Sequence, residues 1–123
     1  SVKKPWNLTL QACSEYLLTH QPDELSGVNR WFQLRPDFLF NRRTDRIVAD
    51  TKWKLISAHD NNTFIKYGLS QSDLYQMYAY GAKYQNSQGH MMLIYPEHEQ
   101  FKEPLPVFSF SEDLHLWVVP SSD

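Results

Sequence analysis

The sequence predicts an α+β fold built on a mixed sheet, and three observations lead there. Two strand-like segments flank a short polar turn at residues 42–45, a capped helix signature begins at Ser70, and a buried-strand pattern follows at 90–95. Strands first, then one helix, then further strands is the order of an α+β domain. At 123 residues the chain holds enough material for a single core, so one domain over residues 1–123 is expected.

The elements follow in chain order. Trp6 to Ala12 alternates Leu8, Leu10 and Ala12 against Asn7, Thr9 and Gln11, which is the period of a half-buried strand. Tyr16 to Thr19 reads as a second short strand and Pro22 to Asn29 as a loop. Trp31 to Phe40 reads as one longer strand, with Phe32, Leu34, Phe38 and Phe40 on the core face. Pro36 interrupts it, lacks a ladder donor, and predicts an edge position or a local distortion. Residues 46–54 form the next strand, with Ile47, Ala49, Thr51 and Trp53 on one face and Val48, Asp50 and Lys52 on the other. Trp53 is expected in the core.

A connection of about fifteen residues, Leu55 to Leu69, is long enough to suggest a functional or mobile loop. Ser70 with Asp73 three residues later resembles a capping box. In the helix that follows, Leu74, Met77, Tyr78 and Gly81 share one side, while Gln76, Tyr80 and Lys83 share another. His90 to Tyr95 reads as a buried strand stopped by Pro96. Val107 to Phe110 and Leu114 to Val119 form a last hairpin, a C-terminal β extension.

Composition narrows the chemistry. A formal charge of −2 is not the global basic footprint of a nucleic-acid binder, although Lys52, Lys54, Lys66 and Lys83 supply local positive charge. Cys13 stands alone, so an intramolecular disulfide is impossible, and a small buried side chain is expected there. The five histidines lack metal-ligand spacing, which argues against zinc. No membrane-spanning run or leader is present, and a cytoplasmic setting fits. The start at Ser1-Val2-Lys3-Lys4-Pro5, without an initiator Met, suggests a C-terminal fragment of a longer chain.

The chemistry-bearing feature lies across the turn. If residues 41 and 46 pair, antiparallel register places Asp37 opposite Asp50, and strand alternation puts Lys52 on the face of Asp50. Opposed carboxylates repel each other, and a divalent cation between them converts that repulsion into binding. Mg²⁺, with Mn²⁺ as a substitute, is the expected cofactor, because hard cations prefer oxygen ligands. Two acids and a lysine so arranged suit metal-assisted phosphodiester hydrolysis, with Lys52 orienting water or stabilising developing negative charge. Exposed charges on a strand face are the structural alternative.

Pro36-Asp37 followed by Asp50-Thr51-Lys52 resembles the PD-(D/E)XK nuclease motif. Leu34-Arg35-Pro36-Asp37, Asp50-Thr51-Lys52-Trp53-Lys54, the run Ser70 to Tyr80, and Leu93-Ile94-Tyr95-Pro96 together resemble the McrC family, the nuclease subunit of the McrBC modification-dependent restriction system. The likeness covers about residues 31–119. It implies a restriction-endonuclease-like core, Mg²⁺ dependence, cleavage of DNA carrying modified cytosine, and an McrB-like GTP-hydrolysing AAA+ partner. No phosphate-binding loop occurs here, so GTP hydrolysis falls to that partner.

Transferred by the resemblance, Asp37 and Asp50 are metal ligands, the Thr51 carbonyl is a further ligand, and Lys52 is the catalytic lysine. Gln76 and Tyr80 match a Gln-x-x-x-Tyr pattern on the following helix. Arg35, Arg42, Arg43, Lys54 and Lys83 are candidate DNA contacts beside the site. The chain departs from the family at its start, where the N-terminal core helix with its Leu-Phe-Glu-like segment is missing and Glu15 is a poor substitute for the acid. That departure supports a rival expectation, a catalytically inactive nuclease-fold module that docks on the motor subunit or on DNA.

Overall fold

The computed structural model describes residues 6–10 and 13–122. Eight strands and one α-helix follow in the order β1 (Asn7–Leu10), β2 (Glu15–His20), β3 (Asn29–Leu34), β4 (Phe38–Arg42), β5 (Asp45–Thr51), α1 (Gln71–Gln85), β6 (Gly89–Pro96), β7 (Phe108–Ser109) and β8 (Leu114–Ser121). Six strands form one mixed sheet in the order β1-β4-β5-β6-β8-β7, and β2 with β3 forms a separate two-stranded ribbon. The expected mixed α+β architecture with one main helix is present. The expected first strand ran to Ala12, and its last two residues lie outside the described ones.

The β4–β5 hairpin keeps the expected register, from Asn41 opposite Arg46 to Phe38 opposite Ala49. Its turn is the dipeptide Arg43-Thr44, with Arg43 at φ 57°. The single strand expected over Trp31 to Phe40 is instead two strands in different sheets. Pro36 explains the division: it is fully buried and has no N–H for a ladder, so pairing stops and resumes at Phe38. The break also shifts the alternation. Leu39, not Phe38 or Phe40, is the buried residue of β4, while Phe32 is 65% exposed at φ 62°.

β5 pairs in parallel with β6, and β6 in parallel with β8. The β5–β6 pairing begins only at Ala49 opposite Met92. Before that point the side chain of Gln85 bridges the two strands. Its Oε1 accepts the Val48 N–H at 2.8 Å, and its Nε2 donates to the carbonyls of His90 at 3.0 Å and Gln88 at 2.9 Å. The amide thus acts as a peptide unit inserted into the ladder, which accounts for a buried glutamine at the end of a helix.

Ser70 caps α1 by accepting the Asp73 N–H at 3.3 Å, as the sequence pattern predicts, and Asn86 closes it in the left-handed conformation. The core lies between α1 and the sheet, where Met77, Tyr80 and Tyr84 meet Val48, Met91, Leu93, Leu114 and Leu116. Burying each large apolar side chain contributes about 1.5–3 kcal/mol relative to exposure. Gly81 permits the close approach, since a Cβ there would fall 2.7 Å from Leu114 Cδ2 and 3.0 Å from Met91 Sδ. The expected division of helix faces is corrected on two points: Tyr80 belongs to the buried side, and Tyr78 is largely exposed, where its ring lies 5.4 Å from that of Phe110. The Tyr84 hydroxyl reaches the carbonyls of Cys13 and, at 3.2 Å, Leu34, tying the β2–β3 ribbon to α1.

Other expectations are also revised. Cys13 is exposed, ahead of a strand, β2, that is itself almost wholly exposed. The strand expected to reach residue 54 ends at Thr51, and Trp53 is 89% exposed rather than in the core. As expected, β6 ends at Pro96, which is its last residue. The long connection is fastened to the body: Ile56 is buried, Ser57 N–H bonds the Tyr67 carbonyl at 3.0 Å, and Ala58 N–H bonds that of Gln100 at 2.8 Å. Among the described residues, no helix is long and apolar enough to cross a membrane.

Candidate functional site

The site forms where β4 breaks away from β5. With the ladder interrupted, the ends of the two strands are joined by carboxylates. Asp37 N–H donates to Asp50 Oδ1 at 2.9 Å, and Asp37 Oδ2 accepts from the Thr51 N–H at 2.9 Å and the Thr51 hydroxyl at 2.8 Å. The opposition of Asp37 and Asp50 predicted from register is therefore realised, one step beyond the last paired residues. Each acid receives donors that reduce the cost of two neighbouring negative charges.

Lys52 closes the arrangement. Its Nζ lies 3.0 Å from Asp50 Oδ2, donates to Gln76 Oε1 at 2.6 Å, and stands 3.8 Å from Asp73 Oδ1. α1 runs antiparallel to β5 over this face, so Gln76 meets Lys52 near the site while the Tyr84 carbonyl accepts from Arg46 at 3.3 Å farther along. Asp73 was legible in the sequence only as a capping residue. Its second position, within reach of Lys52, depends on where α1 docks.

The environments of the two acids differ. Burial pushes the Asp37 carboxyl up, but the hydrogen bonds from Thr51, the neighbouring Asp50 side chain and the charge of Lys52 outweigh it, and the group ends below the ordinary carboxylate range. Burial of Asp50 prevails over the Asp37 N–H and Lys52, and its carboxyl is raised. The pair thus holds its first negative charge readily at Asp37 and resists the second at Asp50. A cation that favours both ionised forms offsets that resistance.

Tyr80 lies under the acids. Burial raises its phenol, and the negative charges of Asp50 and Asp37 raise it further. Tyr95, which sequence reading placed simply in a buried strand, is fully buried with a hydroxyl that has no hydrogen-bond partner among the described residues. Burial raises its phenol too, with added contributions from Asp73 and Asp50, which locates it beside the same cluster. In the sequence it stands within the Leu93-Ile94-Tyr95-Pro96 block of the resemblance, with nothing to show its place beside the acids.

The remaining candidates are not gathered at this point. Arg35 and Lys54 are exposed near the strand ends that carry the site. Arg42 and Arg43 lie at the far end of the hairpin, roughly 15–20 Å away along the strands at about 3.3 Å per residue. Lys83 joins them there, with Arg46, around an open concavity of about 830 Å³. The Arg42 guanidinium stacks 4.3 Å from the centre of the Trp6 ring. Lys66 bonds the Thr63 carbonyl in its own loop. The expectation that Arg42, Arg43 and Lys83 flank the acids is thereby corrected: the hairpin carries its turn and its acids at opposite ends.

Among the described residues no group of three or more His, Cys, Asp or Glu side chains is placed to hold a metal ion. The two carboxylates nonetheless fit a magnesium site, since that ion commonly takes one or two carboxylates and keeps its remaining waters. Asp37 Oδ1 accepts no hydrogen bond from the described residues and is free to act as a ligand. In a strand the N–H and C=O of one residue point to the same side, so the Thr51 carbonyl is directed toward the Asp37 side as well.

The family model described as McrBC 5-methylcytosine restriction system component matches residues 1–96. Among solved structures, the chain is similar to one from the refined half-complex of the tetradecameric assembly of Thermococcus gammatolerans McrB AAA+ hexamers with bound McrC. The TM-score is 0.53 at 14% identity, over 87% of this chain and 22% of that one. The present chain thus spans about a fifth of that neighbour's length. A search of the curated proteins finds no match.

Proposed function

Because the chain belongs to the McrBC 5-methylcytosine restriction system component family, we propose that it is the Mg²⁺-dependent nuclease module of such a system, with a restriction-endonuclease-like core. The observation that carries this reading is the meeting of Asp37, Asp50 and Lys52 at one strand end, with Gln76 of α1 holding the lysine. The reaction is hydrolysis of a DNA phosphodiester. The substrate is DNA containing modified cytosine, delivered by an McrB-like GTP-hydrolysing AAA+ subunit.

In this reading Asp37, Asp50 and the Thr51 carbonyl hold Mg²⁺, which when bound supplies Lewis-acid polarisation of a phosphoryl oxygen and a more acidic water. Lys52 is held by Asp50 and Gln76 so that its ammonium is directed at the phosphate, where it stabilises the charge that develops during displacement. Asp73 adds a second carboxylate beside Lys52 and keeps the ammonium from swinging away from the strand end. Tyr80 and Tyr95 stay neutral, so they add no negative charge beside the acids.

The test uses the complete protein assembled with its AAA+ partner on DNA containing modified cytosine. Asp37→Ala and Asp50→Ala each abolish cleavage while the far-UV circular dichroism stays that of the wild type. Cleavage that survives both substitutions overturns the mechanism. Tight association with the motor, undiminished by a chelator and accompanied by no cleavage under any divalent ion, identifies the docking module instead.

A further inference from the structure

We propose that Trp53 is a stacking platform for a nucleobase of the strand cut at the neighbouring acids. The inference deepens the nuclease reading and takes from it the DNA strand as occupant. The three parallel strands β5, β6 and β8 all end at the same edge of the sheet, at Thr51, Pro96 and Ser121. Ligands of such sheets gather outside the carboxyl ends of the strands. A half-open pocket of about 320 Å³ lies there, lined by Lys52, Trp53, Ile94, Pro96, Glu97 and Ser121.

Lys52 therefore contributes both to the acid cluster and to the lining of this pocket. Trp53 follows it directly, 89% exposed, with the exposed Lys54 on its other side. Lysines interleaved with an open aromatic ring form the usual platform for an unstacked base, with the cations tracking the backbone and the ring face taking the base. Because Lys52 and Trp53 both line this pocket, a strand whose phosphate reaches Lys52 passes the indole.

The pocket wall selects between parts of the nucleotide. Glu97 places a carboxylate there, which repels a phosphate, while Ile94 and Pro96 offer apolar surface. The uncharged, planar part of the nucleotide suits this wall, and the phosphates stay with Lys52 and Lys54. Trp53 is too exposed to support the core, so its removal leaves the fold unchanged.

The experiment places 2-aminopurine at successive positions of a duplex, with Ca²⁺ replacing Mg²⁺ so that the DNA remains uncut, and titrates the wild-type chain, Trp53→Phe and Trp53→Ala. The wild type gives a fluorescence change that peaks at one or two consecutive nucleotides; Trp53→Phe keeps the peak, and Trp53→Ala loses it. Affinity falls about 5- to 150-fold in Trp53→Ala, the range for loss of one stacked base. A flat profile in the wild type, or a peak and affinity unchanged by Trp53→Ala, overturns the proposal. So does a Trp53→Ala chain that binds DNA normally but no longer associates with the AAA+ subunit, because the ring is then a protein contact. Cleavage in Mg²⁺ is scored separately on the same duplexes. Cutting with a flat profile refutes stacking alone, and a peaked profile without cutting refutes the nuclease reading alone.

Discussion

Replacing Gln85 with leucine tests whether the side-chain amide between β5 and β6 holds the strand that carries Asp50. The change preserves approximate volume and removes three hydrogen bonds. Val48 is fully buried and its N–H is paired with the Gln85 amide, so leaving it unpaired costs about 1–3 kcal/mol. The carbonyls of Gln88 and His90 belong to exposed residues and recover water, which reduces their combined loss to about 1 kcal/mol. Burying leucine in place of the amide returns on the order of 1 kcal/mol.

The net expectation for Gln85→Leu is a loss of about 2 kcal/mol, or a melting temperature about 6–10 °C lower for a domain of this size. Urea unfolding followed by circular dichroism measures the first, and amide hydrogen exchange locates it, because Val48 should lose protection before Asp50 or Leu93. Gln88→Leu, the same change at an exposed neighbour, should move stability by less than about 0.5 kcal/mol. If Gln85→Leu is as harmless as that control and Val48 stays protected, the amide does not bridge the ladder.

Two further expectations follow from the packing and the charges. Gly81→Ala forces a methyl against Leu114 and Met91, and the overpacking should destabilise the chain by about 1–3 kcal/mol in the same urea assay. Asp50 has a raised carboxyl, so its contribution to stability is fully present below the ordinary carboxylate range and is lost as pH rises through the raised folded value. Without divalent ions, Asp50→Asn should therefore gain stability relative to wild type as pH increases from about 3 to 7. A difference that is flat or of opposite sign across that range contradicts the account of the acid pair.

Much of the site was legible because it rests on local rules. The short turn fixed the hairpin register, the register opposed Asp37 to Asp50, and alternation brought Lys52 to the same face. Ser70 marked the start of the helix by capping chemistry alone. What escaped depends on pairing between distant segments. The pattern of Trp31 to Phe40 is continuous in apolar character, yet Pro36 divides it between two sheets, and no local periodicity says which sheet each half joins. Trp53 carries a strand pattern past the last residue that finds a partner, so an aromatic expected inside is left outside. Gln85 reads as an ordinary polar residue in a last helical turn, and only the gap between β5 and β6 gives it work. Arg42 and Arg43 appear close to the acids in sequence, but the strand length separates them, and the antiparallel course of α1 carries Lys83 to the same far end.

The measurement that bears most directly on the nuclease reading is Mn²⁺ titration of the ¹⁵N-labelled chain, following paramagnetic broadening of assigned amides. The account predicts broadening centred on Asp37, Asp50, Thr51 and Lys52, competed by Mg²⁺ and abolished in Asp50→Ala. Broadening that instead centres on the stacked rings of His90 and His115, or that leaves the Asp37 and Asp50 amides unaffected at saturating ion, contradicts a metal site at the strand ends.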